Sequence, residues 1–377
     1  MPYSPDALRR RPDLEAPELQ AMDAADRLIL DESLAARSEA PAGTLVVIGD
    51  AYGALTLGSA DAGATGIRVH QDPLAGERAL AANARDAGLS DAFRSLDRTA
   101  ELVRDARVVL LRLPRALDEL DDIAALIAAY ARPDVTVYAG GRIKHMTPAM
   151  NDVLRRSFTS LDVTHARQKS RVLVARGPQA GRDPQPQRRT HDLAGREEPL
   201  VVCAFGGAFA GTSVDIGTRF LLAQLAAVRP SVDGDVIDFA CGTGVIAAWL
   251  ARRHPDLHII ATDQSAIAVA SARATAEANG VGDRMSAARD LGLGDRADAS
   301  ASFIALNPPF HSGAAVPATT VAAPMFADAG RVLAPGGELW AVWNSHLQHR
   351  PLLEKLVGPT RQVARNAKFT VTVSTRR

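Results

Sequence analysis

Asn307-Pro308-Pro309-Phe310 closes a short apolar run, Ser302 to Leu306, and could do chemistry on an amine attached to a planar ring. The Asn307 amide oxygen and the Pro308 carbonyl are two acceptors one residue apart. Together they can hold the two N–H groups of such an amine and draw its nitrogen towards tetrahedral geometry. The nitrogen needs that help, because its lone pair is delocalised into the ring. Proline fixes φ and carries no N–H, so Pro308 and Pro309 stiffen the turn and keep competing donors away. Phe310 offers a face for stacking a base, a contact worth about 1–3 kcal/mol. A Pro-Pro turn after a strand can be a turn and nothing more; the residues upstream decide. Val236-Ile237-Asp238-Phe239-Ala240-Cys241-Gly242-Thr243-Gly244-Val245 is a strand running into a glycine loop and a helix. Glycines let backbone approach a ligand, and a helix start offers free N–H groups. Gly242-x-Gly244 also fits a dinucleotide fingerprint. Asp238 argues against one, since a carboxylate there repels a pyrophosphate and suits a ligand carrying an ammonium. Asp263 ends the next strand, placed to accept both hydroxyls of a ribose or to cap the helix behind it. This set suits methyl transfer to an exocyclic amine.

Positioning such a set takes strands that end at one edge. In the second half, strands are expected at Asp235–Ala240, Leu257–Thr262, Ser302–Leu306, Glu338–Trp343 and Lys368–Ser374. Helices are expected at Val245–Arg253, Ile267–Asn279 and Pro324–Leu333. The first half repeats the plan with strands at Thr44–Gly49, Arg107–Leu113 and Val135–Ala139, and helices at Leu19–Ala36, Pro73–Ala87 and Leu117–Tyr130. Strand–helix alternation implies parallel, doubly wound sheets with ligands at the carboxyl ends of the strands. The expected fold is therefore α/β, two tandem doubly wound Rossmann-like domains. The first spans 1–190 and ends in a Pro-, Gly-, Gln- and Arg-rich linker, Gly177 to Glu198; the second spans 191–377. Only the second carries glycine-loop chemistry. The first has Asp50-Ala51-Tyr52-Gly53 at its loop and Leu113-Pro114-Arg115 at its substrate turn, so it is expected to be degenerate.

The 377 residues hold 43 Lys+Arg and 43 Asp+Glu, a net charge of zero that argues at first sight against a nucleic-acid partner. The distribution says otherwise. Residues 1–141 balance to −8, 142–189 to +8, 190–349 to −6 and 350–377 to +6. A local basic cluster attracts phosphates, because fields fall off within about 8–10 Å at working salt. Arg115, Arg142, Lys144, Arg167, Lys169 and Arg171 are the candidate phosphate contacts, although basic segments can also be mere solvated domain ends. Two cysteines make no disulfide framework and no zinc spacing; His346 and His349 lack a carboxylate or Cys partner for a metal. With no apolar leader and no run of about 18 apolar residues, a cytoplasmic monomer without metal or membrane contact is expected.

These residues resemble class I S-adenosylmethionine-dependent methyltransferases of the amino-methylating kind, and more closely the RsmC/RlmG family of ribosomal RNA guanine-N2 methyltransferases. The resemblance rests on Asn307-Pro308-Pro309-Phe310-His311, on Phe209-Ala210-Gly211-Thr212-Ser213-Val214-Asp215-Ile216-Gly217, and at the front on Gly49-Asp50-Ala51-Tyr52-Gly53-Ala54-Leu55, which looks most like the RlmG branch. It implies a degenerate methyltransferase-like domain that recognises RNA, followed by a catalytic one. It implies S-adenosylmethionine held by Asp238, Ala240, Gly242, Gly244, Asp263, Asp290 and Asn307, with Asp290 at the adenine ring. Asn307, Pro308 and Phe310 would be catalytic; Phe209, Pro309 and His311 would face the substrate, His311 either touching it or packing beneath the loop. Ala240 departs from the family's usual Gly. The implied substrate is a guanine of ribosomal RNA or a ribosomal subunit precursor, the large subunit preferred over the small. The rivals are adenine-N6 or protein glutamine methylation, a non-catalytic RNA-binding assembly factor, and a nicotinamide-dependent dehydrogenase, which Asp238 and the Asn-Pro-Pro-Phe turn disfavour.

Overall fold

Apolar runs of four to six residues, buried on both faces, build two sheets in succession. The computed structural model describes residues 3–194, 198–231, 233–309 and 318–377, the first four of the last stretch as backbone alone. The chain divides into two units, Met1–Gln185 and Pro186–Arg377.

The first unit runs α1 (Ala24–Glu32), α2 (Leu34–Glu39), β1 (Leu45–Ile48), α3 (Ala54–Asp61), β2 (Ile67–His70), α4 (Leu74–Ala87), β3 (Phe93–Ser95), α5 (Ala100–Val103), β4 (Val108–Arg112), α6 (Leu117–Tyr130), β5 (Thr136–Arg142), α7 (Pro148–Ser157), β6 (Phe158–Val163) and β7 (Ser170–Pro178). Its strands lie in the order β3-β2-β1-β4-β5-β7-β6. The first five are parallel, and β7 and β6 close the sheet antiparallel. Val46, Ile48, Val109 and Leu111 face one apolar layer; Leu45, Val47, Val108 and Leu110 face the other. The period of two thus sorts a continuous apolar run into two cores.

The second unit runs β8 (Gln187–His191), β9 (Leu200–Ala204), α8 (Ile216–Leu225), β10 (Asp235–Phe239), α9 (Val245–Arg253), β11 (Ile259–Asp263), α10 (Ala266–Ala278), β12 (Met285–Arg289), β13 (Ala301–Leu306), α11 (Ala318–Val332), β14 (Leu333–Asn344), α12 (Arg350–Leu356), β15 (Thr360–Arg365) and β16 (Phe369–Thr375). The sheet order β12-β11-β10-β13-β14-β16-β15 repeats that of the first unit strand for strand. The order reverses between β10 and β13, which sets the crevice where ligands bind in such sheets.

Two expectations need correction. The helix expected at Leu19–Ala36 begins only at Ala24, because the Asp23 carboxylate accepts the N–H groups of Ala25 and Asp26 and caps it; the chain breaks again at Ser33. The segment Gly177–Glu198 is not a free linker. β7 extends to Pro178, and β8 pairs antiparallel with β9. Between them Arg182 bonds Asp121 on α6, and Tyr130 donates to Asp183 at 2.7 Å. Polar, arginine-rich composition reads as solvated coil, but an edge strand with one neighbour needs little apolar surface. No helix among the described residues is long and apolar enough to cross a membrane, and no group of three His, Cys, Asp or Glu there could hold a metal.

Candidate active site

The loop after β10 is shaped by left-handed backbone at three alternate positions. Ala240, Gly242 and Gly244 have φ of +58°, +53° and +74°. A β-carbon at Gly244 would meet Ala272 Cβ and Met285 Cε at 2.8 Å, so both backbone and space demand glycine there. A β-carbon at Gly242 would meet nothing within 4 Å, which leaves the outer side of the loop open to a ligand. Ala240 adopts the same left-handed conformation with a β-carbon present, at a cost of about 1–2 kcal/mol. The family's usual Gly at this position answers that backbone requirement.

Three carboxylates surround the loop. Asp263, ending β11, accepts the N–H of Gly242 at 3.0 Å and of Ser265 at 2.9 Å, tying the loop to the second strand. Ser265, rather than Asp263, is the N-cap of α10. Asp238 is wholly buried; one oxygen accepts the Ala247 N–H at 2.9 Å, and the other has no partner. Burial pushes its carboxyl up to about 7, the Ala247 N–H pulling against this and Asp263 adding to it. Asp290 follows β12, and its N–H donates to the Asp263 carbonyl at 3.0 Å. Its Oδ1 is also buried without a partner, and burial raises its pKa. Buried carboxylate oxygens without donors are costly. Two of them around an open loop fit a ligand bringing N–H donors at both ends.

Asn307 follows β13 at the same sheet edge. Its Nδ2 donates to Asp215 Oδ2 at 3.1 Å and to Thr218 Oγ1 at 2.9 Å, while its Oδ1 is buried and unpartnered. An amide oxygen without a partner thus stands at this strand end. Pro308 is buried and Pro309 exposed; Phe310 and His311 lie outside the described residues. Phe209 is 60% exposed, as is Ile216 beside Asp215. The Phe209–Val214 stretch is held by His191 of β8, whose Nδ1 accepts from Arg219 at 3.0 Å and whose Nε2 donates to the Thr212 carbonyl at 2.7 Å. A guanidinium only donates, and this fixes the ring's tautomer.

The first unit answers each position differently. Strand register places Val47 where β10 has Asp238, and Arg112 where β13 is followed by Asn307. Arg112 donates to Asp23 at 2.8 and 3.2 Å and to Asp26 at 2.9 Å. Gln71, one residue beyond β2 as Asp263 is beyond Thr262, donates to the backbone carbonyls of Asp50 and Ala51. The Arg10 guanidinium covers the Tyr52 ring at 4.5 Å, and Asn83 links Tyr52 to Arg9. Arg9 and Arg10 are thereby tied to the loop that answers the glycine loop of the second unit.

Of the candidate phosphate contacts, Arg115, Lys144 and Arg142 act with Arg112 on His145, whose pKa is lowered first by desolvation and then by these four charges. His145 escaped sequence reasoning, because nothing local marks it. Lys169 and Arg171 flank the start of β7, paired beside the end of β5. Among the described residues none of the five lysines and arginines has a carboxylate partner. Arg167 differs: it pairs with Asp31 at 2.8 Å and Glu32 at 3.9 Å, and is not a free cation.

Residues 2–179 match the RLMG N-terminal domain model and residues 199–373 the methyltransferase small domain model. The chain is 34% identical to "Ribosomal RNA large subunit methyltransferase G" of Streptomyces coelicolor, over 98% of both chains. It is 32% identical to the protein of that name from Pseudomonas paraeruginosa, over 98% of this chain and 97% of the other. In fold it is similar to a solved T. thermophilus 16S rRNA N2 methyltransferase (RsmC) in complex with AdoMet and guanosine, with a TM-score of 0.74, 20% identity and 97% of each chain covered. With two Rossmann-like sheets of one plan and relatives of this identity along nearly its whole length, the chain belongs to the family of ribosomal RNA large subunit methyltransferase G.

Proposed function

We propose that this chain methylates the exocyclic N2 amine of a guanine in ribosomal RNA of the large subunit, using S-adenosylmethionine. The observation that carries the reading is Asn307 Oδ1, a buried acceptor without a partner at the carboxyl edge of the second sheet. The same edge holds two carboxylates whose buried oxygens lack donors. Asp238 would take the cofactor's ammonium, Asp263 its ribose hydroxyls and Asp290 its adenine amine, around the open face of Gly242. The cofactor supplies an electrophilic methyl carbon on a sulfonium that departs as a neutral thioether.

Everything else falls to the protein. Asn307 Oδ1 and the Pro308 carbonyl accept the two N–H groups of N2 and turn its lone pair out of conjugation, towards the methyl carbon. The amine becomes acidic as its fourth bond forms and sheds a proton to water, so no strong base is needed. Alignment of amine, carbon and sulfur is the main catalytic contribution. The guanine must leave its stack to reach this edge, and Phe209, Pro309, Phe310 and His311 are the residues proposed to receive it. The first unit, a degenerate methyltransferase-like domain, is proposed to recognise RNA through Arg115, Arg142, Lys144, Lys169 and Arg171. The working protein is proposed to be a cytoplasmic monomer.

The test is calorimetry with S-adenosylmethionine together with nucleoside mass spectrometry of large-subunit RNA methylated in vitro. Cofactor binding with N2-methylguanosine as product supports the reading. N6-methyladenosine, or no cofactor binding, overturns it.

A further inference from the structure

We infer that Asp215 is a positioning residue for methyl transfer: its carboxylate fixes the orientation of the Asn307 carboxamide, so that Oδ1 and not the NH2 group meets the substrate amine. A carboxamide has two faces of nearly equal size, and turning it by half a rotation exchanges acceptor for donors. With Asn307 turned the wrong way, two donors would face an NH2 group, and the amine would be repelled. Nothing in Asn307 itself prevents this.

Asp215 does. An ionised carboxylate only accepts, so the Asn307 atom 3.1 Å from its Oδ2 must be the nitrogen. Thr218 Oγ1, at 2.9 Å, accepts from the same NH2 group. Reversal would set the amide oxygen against the carboxylate. Asp215 is itself held, as the N-cap of α8, by the N–H groups of Gly217 at 2.8 Å and Thr218 at 3.2 Å. Gly217 completes the arrangement, since a β-carbon there would fall 2.9 Å from Asp215 Oδ2 and 3.1 Å from the Phe369 ring. The Asp215-Ile216-Gly217 run thus has a physical role at a site 92 residues away.

The first unit supplies an independent comparison. There Asp23 caps α1, as Asp215 caps α8, and its carboxylate reaches across to Arg112, 89 residues on and at the register of Asn307. The helix-cap-to-strand-end contact is kept in both halves. Where the strand-end residue is Arg112, the carboxylate partners a cation held in place; where it is Asn307, the carboxylate sorts the two ends of an amide.

This inference rests on the amine-acceptor role proposed for Asn307. Its test uses the full chain, S-adenosylmethionine and ribosomal RNA from a strain lacking the gene, with single-turnover rates in four variants: Asp215→Ser, Thr218→Val, Asn307→Ala and the double Asp215→Ser/Asn307→Ala. Serine still caps a helix but is too short to hold Asn307. Losing one charge-assisted hydrogen bond predicts a fall of about 10–100-fold in the rate for Asp215→Ser, with the KM for RNA and the cofactor Kd changed by less than about twofold. Thr218→Val, which leaves the cap intact, should lower the rate in the same selective way. In the Asn307→Ala background, Asp215→Ser should change the residual rate by less than about twofold, because a residue acting only through Asn307 has nothing left to orient. An equal loss in both backgrounds, or no loss in either single variant, overturns the inference. The side-chain NH2 resonances of Asn307 give a readout without substrate: they should be shifted and slow to exchange in the parent protein and lose both properties in Asp215→Ser. If the parent protein methylates no guanine, the functional reading fails, while the resonances still decide whether Asp215 orders the amide.

Discussion

Asp238 is the proposed partner of the cofactor's ammonium, and burial already sets its protonation in the ligand-free protein. Its folded pKa, about 7, lies above the ordinary Asp value of about 3.9. In the ligand-free protein the group therefore holds a proton that the unfolded chain has released. That contribution to stability is fully present below about pH 4 and is lost as pH rises through about 7. An ammonium brought beside the unpartnered oxygen favours the ionised form and expels the proton. Calorimetry near pH 6.5 in two buffers of different ionisation enthalpy should show net proton release on S-adenosylmethionine binding, and Asp238→Asn should abolish it. Equal apparent enthalpies in both buffers would contradict this. Asp238, Gly242, Gly244 and Asn307 are legible in the sequence because each lies in a short contiguous run with its neighbours. Asp215 as the partner of Asn307 is not, since only folding brings the two together.

At the scale of elements, apolar strands such as β1, β4, β10 and β13 read directly from their Val, Ile and Leu runs. β2, Ile67-Arg68-Val69-His70, does not, because Arg68 spends its guanidinium on the Glu101 and Arg104 carbonyls and can be buried all the same. β8, Gln187–His191, hides in arginine-rich sequence because its strand character comes from pairing with β9. The substrate turn of the first unit reads as Leu113-Pro114-Arg115, yet the residue that answers Asn307 is Arg112, one position earlier. Its ion pairs tie α1 to β4, and burial holds Asp26 up at about 7 even with the guanidinium beside it. Arg112→Ala should destabilise the first unit by about 2–3 kcal/mol, less than a fully buried pair would cost, and leave cofactor affinity unchanged. Urea unfolding followed in parallel with cofactor calorimetry checks both statements; an altered Kd would mean that the first unit shapes the cofactor site.

For the whole molecule, zero net charge conceals two acidic bodies and two basic closing segments. Sequence alone grouped Arg167 with the phosphate contacts, whereas folding ties it to Asp31 and leaves Arg115, Arg142 and Lys144 together. Neutralising those three should weaken RNA binding and lower the slope of log K against log salt by about 2–3, without touching cofactor affinity. Arg167→Gln should leave that slope nearly as it is. If Arg167→Gln alone lowers the slope, the ion pair with Asp31 yields to RNA and the assignment of contacts is wrong. Whether Asn307 presents a guanine N2 amine of large-subunit RNA for methylation is decided by mass spectrometry of that RNA from a strain lacking the gene, complemented with the parent gene or with Asn307→Ala. One N2-methylguanosine should be lost on deletion, restored by the parent gene and not by Asn307→Ala, whose protein should still bind S-adenosylmethionine. Restoration by Asn307→Ala, or an unchanged nucleoside profile in the deletion strain, would contradict that role.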